Sequence, residues 1–282
     1  MQKAFVPFLF SLFFLFRNFL IIKSNKIIAK EGIKKMNEIL LYFVTKYKGE
    51  WNNIFSAIKN KELINKNDYL LFLEKINEKK LNYLTVLDSS YPQKLLRLNQ
   101  PPFILFYKGN LDILKEENNS IYLTGSYKTE EIKKYLENLK YDNQTIFFNC
   151  LWSGLEKEIL KILFTKKFKI VIILPCGIEW GLNNLNLKEF DNENCLFLSE
   201  FPNDYHVSKT AFISRNRINA CFCKKLVLLS SLENKFNNLV NEFLDQGKDI
   251  QCLLFKDRNE NDTNINLINQ GAELINENIN IL

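Results

Sequence analysis

The sequence predicts an α/β fold in which a mainly parallel sheet follows a small helical N-terminal domain. From Leu81 onward, short apolar runs alternate with segments of helical periodicity, a pattern typical of βαβ units on a parallel sheet. Before Leu81, the apolar residues recur at helical spacing instead. A chain of 282 residues is long enough for one large domain or two modest ones with a real core.

The first 35 residues differ in composition from the rest. They contain seven basic residues and one acidic residue, and so carry the whole formal charge of +6. Their apolar run from Phe5 to Ile22 is long enough to span a bilayer, with a basic flank that would stay in the cytoplasm. No small-residue cleavage site comes after it, which argues against a cleaved signal. A third interpretation, translation starting at Met36, is slightly favoured because residues 36–282 are formally neutral.

Composition narrows the class of protein further. A hydrophobic fraction of 46%, with 24 Phe, excludes a disordered chain. The six cysteines lie mostly in apolar runs without Cys-x-x-Cys spacing, and His206 is the single histidine. These features argue against a zinc site or a histidine-based nucleophile and indicate reduced, buried thiols in a cytoplasmic protein. The neutral balance beyond residue 35 also means that overall charge does not support nucleic-acid binding, so only a local concentration of charge can.

Residues 36–80 form the predicted helical domain. Apolar residues recur at helical spacing from Asn37 to Ile58, with an interruption at Gly49, and Asp68–Lys79 is a further predicted helix. A domain this small is expected to pack against the rest of the chain.

The α/β domain is predicted to span residues 81–282. It opens with a strand at 81–87, a short helix at 93–98 and a strand at 101–109. The later strands are predicted at 120–124, 145–150, 168–174, 195–200, 225–230 and 250–255. The later helices are predicted at 130–139, 156–164, 184–190, 233–244 and 264–269.

One segment between two of these strands concentrates positive charge. From Tyr205 to Leu232 there is no acidic residue, and the basic residues are Lys209, Arg215, Arg217, Lys224 and Lys225. A helix is predicted to begin here with Ser214 as its N-cap. Free backbone N–H groups at a helix start, together with two guanidinium groups, favour binding of a phosphate. The alternative is that both arginines pair with carboxylates elsewhere in the fold.

The turns after the predicted strands are the other candidate site, because ligands of doubly wound sheets gather at the carboxyl ends of the strands. Gly125 and Gly154 follow strands and would let the backbone approach a phosphate closely, with a plain turn as the alternative for both. Glu200 also follows a strand. We interpret it as structural rather than catalytic, since no second acid stands at a fixed spacing from it.

Several short motifs follow one another along the chain. They are Leu84–Asp88 with Tyr91-Pro92, Pro102–Gly109, Gly125-Ser126, Ser153-Gly154, Leu174–Gly177, Leu198–Pro202, Phe212–Ile218 and Asn266–Ile268 with Gly271-Ala272. In this order they resemble the motifs of the DNA-processing protein A family, called DprA or Smf, whose main domain is Rossmann-like. The resemblance covers about residues 36–276, and the Arg-Asn-Arg element is its most specific part. It suggests a shortened and divergent member.

The resemblance implies a protein that binds single-stranded DNA, protects it on entry into the cell and helps to load the RecA recombinase in natural transformation and recombination. It also implies a homodimer that is not an enzyme, and we expect no cofactor. The implied DNA contacts are Lys209, Arg215, Asn216, Arg217 and Lys224, with Gly125, Ser126, Ser153 and Gly154 as backbone donors. Phe212 is a candidate base-stacking ring, with a core position as the favoured alternative.

The chain also departs from the family pattern. Tyr127 stands where the family has the arginine of a Gly-Ser-Arg turn, and the segment after Ser153-Gly154 is shorter. Two other functions stay open. One is a nucleotide-processing enzyme similar to the phosphoribohydrolases, although their Pro-Gly-Gly-x-Gly-Thr run is missing here. The other is a membrane-tethered interaction protein that uses residues 5–22.

Overall fold

A computed structural model describes residues 28–79, 82–115, 119–151, 154–233 and 235–276. The chain forms two compact units. Unit 1 extends to Tyr107 and also takes Cys176–Trp180 and Ser199–Tyr205, while the rest of the chain from Lys108 forms unit 2. Unit 1 therefore contains the first strands of the α/β segment as well as the helices expected at 36–80.

The N-terminal extension proposed at residues 1–35 is described only from Ile28 onward. Helix α1 (Ile28–Lys46) runs without a break through Met36, the favoured translation start. The candidate membrane segment at residues 5–22 lies outside the described residues. Within the described ranges, no helix combines the length and the hydropathy needed to cross a bilayer.

The N-terminal part of unit 1 consists of α1, α2 (Trp51–Lys59) and α3 (Lys66–Lys79). Helix α2 buries Ile54, Ala57 and Ile58, which share one face at helical spacing. The chain turns between α1 and α2 at Gly49, whose φ of +78° lies in the left-handed region. A Cβ atom at this position would lie 2.7 Å from Cδ1 of Phe201, so the turn requires glycine.

A β-hairpin with a long connection follows these helices, and its second strand continues past Tyr107, where this stretch of unit 1 ends. Strand β1 (Tyr83–Thr85) pairs in antiparallel register with β2 (Ile104–Gly109). Asp88, in the connection, accepts the backbone N–H of Thr85 at 2.6 Å and Nδ2 of Asn37 at 2.9 Å. These bonds join the hairpin to α1. The short helix predicted at 93–98 is a 3-10 helix, Gln93–Arg97.

Unit 2 is built on a parallel sheet whose described strands have the order β6-β5-β4-β3-β7-β8-β9. They are β3 (Ser120–Thr124), β4 (Ile146–Asn149), β5 (Lys169–Ile173), β6 (Cys195–Ser199), β7 (Lys225–Leu228), β8 (Asp249–Leu253) and β9 (Glu273–Ile275). Most of their residues are buried, as expected for parallel strands covered by helices on both faces. The predicted α/β fold with a mainly parallel sheet is confirmed.

The helices that accompany these strands are α4 (Glu130–Glu137), α5 (Glu156–Thr165), α6 (Ile178–Asn184), α7 (Lys209–Phe222), α8 (Asn237–Asp245) and α9 (Asn264–Asn269). The order of the strands reverses beside β3, since β4, β5 and β6 extend to one side and β7, β8 and β9 to the other. In doubly wound sheets, such a reversal opens a ligand crevice at the carboxyl ends of the two strands that flank it. In this chain those strands are β3 and β7.

Some elements differ from the sequence prediction. The helix predicted at 184–190 is wrong: α6 covers Ile178–Asn184 instead, and a 3-10 turn covers Lys188–Phe190. The reason is Asn186, whose φ of +54° is left-handed and cannot continue a right-handed helix. The sequence does not predict β9, because three residues are too few to establish an alternating pattern.

The start of α7 also differs. It begins at Lys209, and its N-cap is Ser208, whose Oγ accepts the N–H of Ala211 at 3.2 Å. Ser214, the N-cap expected from the sequence, lies inside the helix. Both serines suit an N-cap equally well by residue type, so local sequence does not distinguish them.

Candidate nucleic-acid interface

The turns after β3 and β7 are joined by hydrogen bonds through Ser230. Its Oγ accepts the backbone N–H groups of Ser126 and Tyr127, each at 3.1 Å, and donates to the carbonyl oxygen of Tyr127 at 2.8 Å. The N–H of Leu232 donates to Oγ of Ser126 at 3.1 Å. The N–H of Ser126, expected from the sequence to face DNA, is therefore already used inside the fold.

The two glycine turns named from the sequence meet at the carboxyl ends of β3 and β4. Gly154 has a φ of +115°, and a Cβ atom on it would lie 2.6 Å from the carbonyl oxygen of Ser126. A Cβ atom on Gly125 would lie 2.9 Å from both Cδ2 of Leu155 and Oγ of Ser230. Gly125 and Gly154 therefore allow the two turns to pack closely, because a side chain at either position would collide with its neighbours. Ser153, the remaining predicted donor, lies outside the described residues.

Arg215 lies in the middle of α7 with only 1% of its surface exposed. Its Nη1 donates to the carbonyl oxygen of Cys150, directly beyond the end of β4. Its guanidinium lies over the ring of Phe212, 4.7 Å from the ring centroid. The prediction that Arg215 lies at the start of a helix is therefore wrong. Helix α7 begins six residues earlier, at Lys209, and the Arg215 side chain is buried in the fold.

A buried polar cluster surrounds that contact. Glu156, at the start of α5, is fully buried and accepts hydrogen bonds from the hydroxyls of Tyr122 and Thr124 and from the N–H of Cys150. Burial raises the pKa of the Tyr122 phenol well above its usual value, Cys150 and Glu156 raise it further, and the positive charge of Arg215 opposes the rise. None of the sequence motifs points to Glu156. An acidic residue in the first turn of a helix was the available signal.

Asn216 and Arg217 are also engaged within unit 2. Asn216 is buried and donates from Nδ2 to Oδ1 of Asn238 at 2.8 Å. Arg217 is partly exposed, and its Nη1 donates to the carbonyl oxygen and to Oγ of Ser214 on its own helix, the latter at 2.8 Å. Its charge also opposes the rise in the pKa of Glu242 that burial causes. Both arginines make contacts within the fold, but the hydrogen bonds described here go to carbonyl and hydroxyl oxygens and not to the carboxylates of the alternative.

The two lysines named from the sequence lie at opposite edges of the sheet. Lys209 is exposed in the first turn of α7, at the carboxyl edge. Lys224 is exposed beyond the other end of α7, where its N–H donates to the carbonyl oxygen of Ser120 at the amino end of β3. A helix of 14 residues separates their backbones by about 20 Å. They therefore do not belong to one site.

Lys209 and Phe212 share one face of α7 at the carboxyl edge. They are three residues apart, which places side chains next to each other on a helix. The Phe212 ring is partly exposed rather than a core residue, and the buried guanidinium of Arg215 supports it. A cation beside a partly exposed ring suits a polyanion that carries aromatic bases.

No group of three or more His, Cys, Asp or Glu side chains is arranged to hold a metal ion in the part of the chain that the structure describes. Glu200 belongs to unit 1 and is 7% exposed. Its burial agrees with the structural role inferred from the sequence.

The model of a family described as DNA recombination-mediator protein A matches residues 82–282. The chain belongs to this family. The resemblance to DprA and Smf, inferred from the motifs, is thereby confirmed.

Two curated relatives support the assignment to the recombination-mediator protein A family. The chain is 24% identical over 173 residues to the DNA processing protein DprA of Streptococcus pneumoniae, covering 59% of this chain and 60% of the relative. It is 27% identical over 224 residues to the protein Smf of a Synechocystis species, covering 72% of this chain and 54% of the relative. The matched regions span between half and two thirds of each relative's length.

Solved structures of DNA processing protein A share the fold. The X-ray structure from Streptococcus pneumoniae superposes with a TM-score of 0.61 at 21% identity, covering 85% of this chain and 89% of the other. The structure from Helicobacter pylori superposes with a TM-score of 0.57 at 19% identity, covering 70% and 92%. The Helicobacter pylori protein is described as having a unique single-stranded DNA binding mode.

In this member of the recombination-mediator protein A family, the residue after Gly125-Ser126 has a structural function that the sequence did not reveal. The hydroxyl of Tyr127 donates to Oδ2 of Asp262 at 2.5 Å and accepts the N–H of Asn259 at 3.1 Å. Both partners belong to the loop between β8 and α9. Tyr127 therefore connects this loop to the carboxyl end of β3.

Proposed function

We propose that this chain binds single-stranded DNA along the carboxyl edge of the unit 2 sheet. The observation that carries the proposal is the position of the exposed Lys209 three residues before the partly exposed ring of Phe212, on one face of the first turn of α7. Membership of the recombination-mediator protein A family supports it. The single-stranded DNA binding described for the Helicobacter pylori protein gives further support.

The chemistry of the edge suits a flexible polyanion. An ammonium group that neutralises a phosphate releases counterions, and this release contributes to affinity at low salt. Aromatic rings stack on bases of any sequence, because every base has a π-face. A duplex offers its phosphates but hides the faces of its bases. A cation next to an exposed ring therefore favours binding of a single strand over binding of a duplex.

Fluorescence anisotropy with a labelled oligothymidine, measured over a salt series, tests the proposal. We expect the wild type to bind, with log K falling linearly against log salt concentration. Lys209→Gln should reduce the steepness of that line by about 0.7, the value for one phosphate contact on a single strand. Lys224→Gln is the matched control, since it removes an exposed lysine at the opposite edge and should leave the line unchanged. A wild type that does not bind the oligonucleotide would refute the proposal.

We further infer that binding serves recombination in the cytoplasm, with the protein protecting incoming single strands and helping RecA to assemble on them. The family description as a recombination mediator and the name DNA processing protein support this role. Nuclease protection of bound oligonucleotides and RecA filament formation on strands coated with single-strand binding protein test the two parts separately. The proposed homodimer is tested by analytical ultracentrifugation, in which a single species of 33.3 kDa would contradict it.

A further inference from the structure

We propose that Arg258 and Lys256, on the loop between β8 and α9, form a second set of phosphate contacts that Tyr127 holds at the carboxyl edge of β3. This inference rests on the proposed binding of single-stranded DNA. It adds cations from a part of the chain that lies far in sequence from α7. Hydrogen bonds between the loop and the strand ends support it.

Tyr127 fastens the loop to the edge of the sheet. It directly follows the Gly125-Ser126 turn, and its hydroxyl bonds both to the carboxylate of Asp262 and to the backbone N–H of Asn259. Arg258 immediately precedes Asn259 in the chain. A bond to the neighbouring backbone N–H therefore sets the position of the chain that carries Arg258.

Asp262 provides the other anchor of the loop. It is buried at 6% exposure, and its Oδ2 accepts the N–H of Ser231 at 3.2 Å in addition to the Tyr127 hydroxyl. Its Oδ1 accepts the N–H of Asn264 at 2.8 Å. Ser231 follows β7, so one carboxylate links the loop to the ends of both strands that flank the reversal in strand order.

The cations of the loop face solvent. Residues 256–261 are all exposed. Among the residues that the structure describes, no carboxylate lies within ion-pair distance of Lys256 or Arg258. The loop also carries Asp257 and Glu260 as well as the buried Asp262, so its formal net charge is −1. Position at the strand ends, rather than net charge, is what would bring these two cations to a phosphate.

The elements that carry the two sets of cations are attached beyond the ends of two adjoining strands, β4 and β3. Arg215 joins α7 to the end of β4, and the ring of Phe212 packs on Arg215. Tyr127 lies beyond the end of β3, which pairs directly with β4. Neighbouring strands are about 4.8 Å apart. A single strand that stacks a base on Phe212 and continues across the edge would pass the loop that carries Arg258.

The test uses the full chain and the labelled oligothymidine over a salt series. Arg258→Gln should reduce the salt dependence by about 0.7, and the double variant Lys256→Gln/Arg258→Gln by about 1.4. Lys224→Gln, which makes the same change of charge at the amino edge, should have no effect. If all of these variants reduced the slope equally, the effect would be one of overall charge and the proposal would be overturned.

Tyr127→Phe tests the positioning role. It removes the hydroxyl and keeps the ring, and it should weaken binding by the same factor as Arg258→Gln. In the Arg258→Gln background it should have no further effect, because the cation that it positions is already missing. Additive losses would show that Tyr127 acts on binding in another way and would refute this role.

The outcomes separate this inference from the proposed function. If the wild type binds no oligonucleotide, both are wrong. If the wild type binds and Lys209→Gln flattens the salt dependence while Lys256→Gln/Arg258→Gln does not, only the second set of contacts is refuted. Should Tyr127→Phe unfold, the exposed lysine and arginine variants still decide the question.

Discussion

Nη1 of Arg215 donates a hydrogen bond to the backbone carbonyl oxygen of Cys150, which fixes the middle of α7 to the end of β4. The same guanidinium lies 4.7 Å from the ring centroid of Phe212. The first arginine of the Arg-Asn-Arg element thus stabilises the fold and supports a partly exposed ring. Arg215 is therefore a structural residue of the candidate site, whereas the exposed part of the Phe212 ring is available for contact with DNA.

Arg215→Ala should lower the free energy of unfolding by about 2–4 kcal/mol, because a buried charged donor and its contacts are lost. Urea unfolding followed by circular dichroism measures the change. Arg217→Ala is the matched control, since this side chain is partly exposed and bonds to its own helix. It should cost about 1 kcal/mol or less. Similar losses in both variants would contradict the structural role of Arg215.

Phe212→Leu should weaken oligothymidine binding by about 1–3 kcal/mol at constant salt, since a stacking ring is lost. The steepness of the salt dependence should not change, because no charge is removed. Anisotropy titrations measure both quantities. Ile213→Ala is the control, because the adjacent Ile213 is 48% exposed but offers no ring. Unchanged affinity in Phe212→Leu would show that the ring only packs.

Gly154→Ala should destabilise the fold by about 3 kcal/mol, because it combines an unfavourable backbone conformation with a collision. The new Cβ atom would lie 2.6 Å from a backbone oxygen at a φ of +115°. Gly247→Ala shares a positive φ, of +65°, but its Cβ atom would meet open space. It should cost about 1 kcal/mol. Thermal unfolding of the two variants, compared at one pH, measures the difference.

Stability should fall at alkaline pH because of buried thiols. Burial raises the pKa of Cys150, Cys195 and Cys252 to about 12, whereas a thiol in the unfolded chain titrates near about 8.5. The folded state keeps protons that the unfolded state releases. The stabilisation is therefore fully present below about pH 8.5 and is lost as the pH rises towards 12, by about 1.4 kcal/mol per pH unit for each thiol.

Urea unfolding at several values between pH 8 and pH 10 measures this alkaline loss. Cys252→Ala should give a shallower decline than the wild type, because one titrating thiol is missing. The comparison depends on slopes and so tolerates any constant loss of stability from the substitution. An identical slope in the variant would show that this thiol does not contribute.

Most of the α/β architecture was predictable. The strands from Ser120 to Leu253 were located within one or two residues, because apolar runs of strand length are a local property of the chain. The family was also predictable from the motifs. The start of α7 was not, since Ser208 and Ser214 have the same capping chemistry and only packing distinguishes them.

The candidate site was predictable in part. Gly125, Ser126 and Gly154 do meet at the carboxyl ends of two neighbouring strands. However, the count of positive charges along the sequence placed Lys209 and Lys224 in one site. In the structure they lie at the two ends of α7, at opposite edges of the sheet. Charge summed along a sequence ignores the direction of the helix between the charges.

The sequence alone determined the class of fold, the family and the small residues at the strand ends, because these depend on local periodicity and on residue type. The tertiary structure decided which cations reach the surface. Arg215 turns inward to a carbonyl group 65 residues away, and Tyr127 holds a loop 132 residues away. Burial and hydrogen bonding depend on neighbours brought together by folding, and no local pattern encodes partners at such separations.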